Sequence, residues 1–143
     1  MRAEKNLKVL VVHHDPGTNC AYEVIARSAG WETGSCESAA DVVRVAREEN
    51  PCVLILDFSP ETDFDALRRL RDVGFKLPVI LITLHSVDHH EAMALGVKMI
   101  LPKPPDAVRL RESLAALASE SAAADFRILF EFLERCSPTR RRE

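Results

Sequence analysis

The sequence predicts an α/β domain, a parallel sheet with helices on both faces. Three observations point there. Short, nearly continuous runs of Val, Ile and Leu occur at Leu7–Val12, Cys52–Leu56 and Pro78–Thr83, as in strands buried on both sides. Segments with apolar residues at helical spacing alternate with these runs. Polar residues then close four of the strands at their carboxyl ends: His13 and His14, Asp57, Thr83, and Lys103.

Each element has a local justification. After the first strand, Asp15-Pro16 supplies a cap and a proline for the first turn of a helix. Cys20, Val24, Ile25 and Ser28 form its expected inner stripe, and Gly30 ends it. A weaker strand runs through Trp31–Cys36. Ser38-Ala39-Ala40-Asp41 resembles a capping box, with Asp in place of Glu. Val42, Val45 and Ala46 continue that helix, and Asn50-Pro51 breaks it before the Cys52–Leu56 strand. Phe64, Leu67 and Leu70 give a third helix its face, which ends near Gly74. Ser86 is the expected cap of a fourth helix, closed by Gly96. Val97–Leu101 is the last strand, and Leu110, Leu114 and Leu117 stripe a fifth helix. Five strand–helix units in this length fit right-handed crossovers and a flavodoxin-like, doubly wound sheet of order 2-1-3-4-5. In such sheets ligand sites form beyond the carboxyl ends of the strands, where these polar residues converge.

The chain has 143 residues, enough for one domain with a sizeable core. It is 47% hydrophobic and 29% charged, which argues against disorder. Net charge is −3, so electrostatics give no case for a nucleic-acid surface, and Arg140-Arg141-Arg142 reads as a solvated tail. No apolar run is long enough to span a bilayer and no signal peptide is visible, so a cytoplasmic location is expected. Cys20, Cys36, Cys52 and Cys136 are widely spaced, without a Cys-x-x-Cys pair, and read as reduced, structural residues. No activated nucleophile, glycine-rich phosphate loop or Glu/His zinc motif is present, so enzymatic activity is not expected. The division expected is a domain over 1–118 and an extension over 119–143. Within the extension, Phe126, Leu129, Phe130 and Leu133 lie at i, i+3, i+4, i+7 of an amphipathic helix over Asp125–Arg135. Such a face suits a homodimer, or else docking on its own domain.

Asp57, Thr83 and the Lys103-Pro104 pair at successive strand ends resemble the receiver domain of two-component response regulators. The resemblance covers residues 7 to about 118 and implies a phospho-acceptor role for Asp57, a histidine kinase or other signalling protein as partner, and a cis bond between Lys103 and Pro104. It implies that Thr83 and Lys103 hold phosphate oxygens, and that helix four, strand five and helix five form the partner surface, where His89, His90, Lys98 and Arg109 lie. The family also carries an acidic pair at the end of the first strand, which holds Mg²⁺ together with the acceptor. Here His13 and His14 stand in those positions. Imidazole is a poor ligand for Mg²⁺, a hard cation that favours oxygen.

Other positions depart from the pattern too. Leu84 follows Thr83 where the family has a small residue, and is expected to crowd the site. Ile100 takes the place of an aromatic residue that changes orientation on activation. The segment after the acceptor reads Phe58-Ser59-Pro60-Glu61, in place of the family's Met-Pro. These departures cluster at activation positions. The expected function is an atypical receiver that acts through protein–protein contact without Mg²⁺-dependent phosphorylation, with Asp57 paired to Lys103. Two alternatives stand beside it. One is a residual phospho-acceptor switch on Asp57. The other is a transition-metal sensor built on His13, His14 and Asp57, since imidazole and carboxylate suit Zn²⁺, Ni²⁺ or Cu²⁺. Adjacent strand residues point to opposite faces, which opposes that second alternative.

Overall fold

The computed structural model describes residues 7–13, 15–57, 60–84 and 86–119, and of these, residues 16, 18–20 and 60–63 by backbone alone. Along the chain run β1 (Lys8–Val12), α1 (Pro16–Ser28), β2 (Glu32–Cys36), α2 (Val42–Glu49), β3 (Val53–Leu56), α3 (Pro60–Asp72), β4 (Val79–Thr83), α4 (His89–Ala94), β5 (Val97–Pro102) and α5 (107–119). The strands form one parallel sheet of order β2-β1-β3-β4-β5, as the sequence predicts. The amphipathic segment Asp125–Arg135 lies outside the described residues.

Strand alternation sorts the core into two layers. Val9, Val11, Val53, Ile55, Ile80 and Ile82 pack with Tyr22, Ala26 and Trp31 and with Leu110, Leu114 and Leu117 of α5. Leu10, Val12, Leu54, Leu56, Val79 and Leu81 pack with Val42, Ala46, Phe64, Leu67 and Leu70 on the other face. Thus α1 and α5 cover one face, and α2 and α3 cover the other.

Most of the expected turn chemistry is present. The Asp15 carboxylate accepts from the Gly17 N–H at 3.0 Å, so Asp15 is the cap of α1. Asn50 ends α2 in the left-handed region, and Gly30 and Gly96 follow α1 and α4 with φ of 92° and 91°. Ser38 caps a short 3-10 turn, Ala39–Asp41, accepting from the Ala40 N–H at 3.2 Å, while Asp41, at the start of α2, makes no side-chain cap bond to that helix. The cap of α4 is Asp88, which accepts from the Glu91 N–H at 3.1 Å, in place of the expected Ser86. Starting at His89, the helix is only six residues long.

The largest correction concerns α1. Its inner face is Tyr22 and Ala26, with Ile25 and Ala29 half-buried, whereas Val24 and Ser28 are exposed. Arg71 anchors the far end of the sheet. It donates to the carbonyls of Phe75, Leu77 and Leu95, tying the end of α3 to the approach to β4 and the end of α4. Burial pulls its guanidinium pKa down from the usual arginine range. Cys36 is buried and Cys52 half-buried.

Candidate functional site

The backbone ladder runs one residue past the strand ends and fixes the site. The His13 N–H donates to the Cys36 carbonyl at 3.0 Å, and the Asp57 N–H to the Val12 carbonyl at 3.0 Å. The Lys103 N–H donates to the Thr83 carbonyl at 3.2 Å. Alternation then decides direction. His13 follows Val9 and Val11, Asp57 follows Val53 and Ile55, and Lys103 follows Met99 and Leu101, all on the α1 side of the sheet. Three side chains from three strands are therefore aimed at one place, against α1.

Asp57 is fully buried, and both its oxygens are engaged. Lys103 Nζ forms an ion pair with Oδ1, which has no other hydrogen-bond partner among the described residues. The Tyr22 hydroxyl donates to Oδ2. His13 Nε2 lies 3.5 Å from the same oxygen. The Asp15 N–H donates to His13 Nδ1 at 2.7 Å, so Nδ1 is unprotonated and the ring proton sits on Nε2, facing Asp57. The imidazole is thereby neutral. Its ring stands edge-on to the Tyr22 ring, centroids 6.3 Å apart and planes at 80°. Burial, then the Asp57 hydrogen bond and charge, push the Tyr22 phenol pKa far above its ordinary value. Among the described residues the cluster thus sets one carboxylate against one ammonium, with Tyr22 and His13 as neutral donors.

The expected contact between Lys103 and Asp57 is present, and the Lys103-Pro104 bond is cis. Thr83 is buried at the end of β4. Its backbone carbonyl accepts from the Lys103 N–H. Leu84 does not crowd the site: it is 71% exposed, because the chain leaves the sheet there and the side chain turns outward. Ile100 is half-buried and packs against the core. His14 and His85 lie outside the described residues, while His89 and His90 are exposed on α4. Among the described residues no three His, Cys, Asp or Glu side chains gather as a metal site. Tyr22 is the site residue that sequence reading misses. Its one signal is that it is the only aromatic residue of α1. Immediately outside the cluster lies a cleft of about 420 Å³. His13, Tyr22 and Lys103 line it together with Ile25, Pro104 and Pro105.

The response regulator receiver domain family matches residues 9–115, and the chain belongs to that family. Among solved structures it is similar to the N-terminal domain of an uncharacterized protein from Wolinella succinogenes. That match has 29% identity and a TM-score of 0.73, and covers 82% of this chain and 98% of that one. It is similar in fold to chemotaxis protein CheY4 of Vibrio cholerae, at 21% identity and TM-score 0.69, covering 79% and 99%. The receiver domain of a signal transduction histidine kinase from Syntrophus aciditrophicus matches at 24% identity and TM-score 0.67, covering 79% and 90%. The class is therefore a receiver domain of two-component signalling. No helix among the described residues is long and apolar enough to cross a membrane.

Proposed function

We propose that this protein is an atypical receiver that signals through protein–protein contact without Mg²⁺-dependent phosphorylation of Asp57. One observation carries the reading: both oxygens of the acceptor-position carboxylate are occupied from within the chain, by Lys103 on one side and by Tyr22 and His13 on the other. In the family, Mg²⁺ neutralises a cluster of carboxylates and the incoming phosphoryl group. The residues here do not suit that ion. His13 offers nitrogen, its Nδ1 is taken by a backbone N–H, and its Nε2 carries a proton. Asp15 is engaged as a helix cap. Lys103 neutralises Asp57 directly, so no cation is needed to balance it.

The contact surface we favour is α4, β5 and α5. His89, His90, Lys98 and Arg109 are exposed there, together with Met93 and Val108, which combine apolar anchors with charge. The partner class is a signalling protein such as a histidine kinase, and a second copy of this chain is a further partner through the 125–135 segment. Four large apolar side chains there, each worth about 1.5–3 kcal/mol when buried, favour association over exposure. Light scattering on the full chain and on a truncation after Ser119 tests the dimer, which is rejected if the full chain is monomeric.

Intact-mass measurement after incubation with acetyl phosphate and Mg²⁺ tests the main reading. No adduct is expected. Addition of one phosphoryl group, lost in Asp57→Asn, would establish the residual acceptor instead. A transition-metal sensor has less support, since His13 Nδ1 is already engaged and Nε2 is turned to Asp57.

A further inference from the structure

Histidines in place of acidic ligands at the end of β1 would by themselves weaken Mg²⁺ binding, but Tyr22 is a separate feature. It comes from α1, not from a strand end, and it is only 4% exposed. Its hydroxyl meets Asp57 Oδ2, and its ring is braced edge-on by the His13 imidazole. On the outer side the same ring lines the cleft of about 420 Å³ walled by Ile25, Pro104 and Pro105. The phenol thus stands between an open cleft and a fully buried carboxylate.

We infer that Tyr22 is an internal stopper that closes Asp57 Oδ2 to metal and phosphodonor from the cleft side, independently of the residues at 13 and 14. The inference rests on the reading of a receiver that is not phosphorylated, and adds a second, steric barrier to the chemical one. Two consequences separate the barriers. Restoring acids at the end of β1 leaves the phenol in place, so Oδ2 remains capped. Removing the phenol alone joins the cleft to Asp57, but leaves imidazole where oxygen ligands are needed. Only both changes together produce an open carboxylate with oxygen ligands beside it. In that state acetyl phosphate can react in line: its acyl O–P bond breaks, acetate leaves, and an O–P bond forms at an Asp57 oxygen.

The experiment compares four full-length proteins: wild type, Tyr22→Ala, the pair His13→Asp with His14→Asp, and all three changes combined. Calorimetric titration with Mg²⁺ gives affinity, and intact mass with acetyl phosphate gives labelling. Circular dichroism and Trp31 fluorescence check folding, and Tyr22→Leu replaces the alanine variant if it does not fold. We expect the combined variant to bind Mg²⁺ at least tenfold more tightly than either parent. Equal Mg²⁺ affinity with and without Tyr22, in the background of the paired His13→Asp and His14→Asp changes, overturns the stopper. So does a folded combined variant that gains nothing. Labelling of the wild type would end the reading of lost phosphorylation without deciding this one. The stopper then stands if Tyr22→Ala is labelled faster than wild type, and falls if the rates are equal.

Discussion

The ion pair between Lys103 and Asp57 makes a quantitative prediction. Lys103→Met keeps the aliphatic stem and removes the ammonium. Among the described residues Asp57 then holds a fully buried charge with two donors, Tyr22 and His13. Removing one partner of a buried pair costs about 3–5 kcal/mol. The Lys103 side chain is 29% exposed, so solvent already screens part of the interaction. The retained donors reduce the loss further, which leaves about 2–3 kcal/mol. Asp57→Asn is milder, about 1 kcal/mol, because the amide keeps a bond with Tyr22 and the lysine can reach water. If the charge on Asp57 is what Lys103 balances, the two losses do not add, and the coupling is about 1.5–2 kcal/mol. The double variant is then more stable than Lys103→Met alone. Urea unfolding followed by Trp31 fluorescence measures this cycle, since Trp31 is the sole tryptophan and is buried in the α1–α5 layer. Coupling below about 0.3 kcal/mol, or a double variant less stable than Lys103→Met, would refute the reasoning.

Gly96 sits at φ 91° with the Arg71 guanidinium where a Cβ would go. Gly96→Ala is expected to cost about 3 kcal/mol, of which about 1–2 is backbone strain and the rest is displacement of Arg71 from three carbonyls. In an Arg71→Ala background only the strain should remain, and an unchanged cost would contradict this account. Alkaline titration tests Tyr22. An unfolded chain loses the phenol proton near 10.0, while the folded chain holds it to higher pH. The folded state therefore binds more protons above that point. The stabilisation is complete below about pH 10 and declines above it by up to ~1.4 kcal/mol per pH unit. Tyr22→Phe removes that contribution, so its alkaline limb should be shallower by that amount. Burial also raises the Cys36 thiol pKa, but this acts equally in both proteins and cancels in the difference. Parallel limbs for the two proteins would exclude a buried, carboxylate-bound phenol.

The sheet is legible in the sequence because its central strands β1, β3 and β4 are buried on both faces and carry nearly continuous Val, Ile and Leu, a signal that loops do not mimic. Once the strand ends are placed, alternation alone sends His13, Asp57 and Lys103 to one face, so their convergence follows from the sequence. The face of α1 does not. Ala21, Tyr22, Val24, Ile25 and Ala26 surround much of that helix, and their spacing permits more than one inner stripe. The observed rotation buries the largest ring and gives Asp57 a donor, a tertiary demand that helical periodicity does not encode. Leu84 departs from expectation for a similar reason. It lies one residue past β4, where pairing stops and alternation no longer fixes direction. Ser86 and Asp88 are both good helix caps, and the sequence offers no means of ranking two caps two residues apart.

The residues at 13 and 22 are best understood as a pair. Suppose an acid replaced His13 while Tyr22 stayed. The buried cluster would hold two carboxylates against one ammonium, with a single phenol proton to share between them. Desolvated like charges at that range repel strongly, and a cation or a captured proton would be required to relieve them. Now suppose His13 stayed and Tyr22 were lost. Among the described residues Asp57 Oδ2 would keep the imidazole at 3.5 Å, a weak contact, and would open to the cleft. Neither substitution is comfortable alone, whereas together they give a closed cluster in which, among the described residues, one carboxylate faces one ammonium. Neutrality follows from the tautomer fixed by the Asp15 N–H, and closure follows from the rotation of α1. A receiver built this way has its acceptor-position carboxylate paired from within, by Lys103 on one oxygen and by Tyr22 on the other.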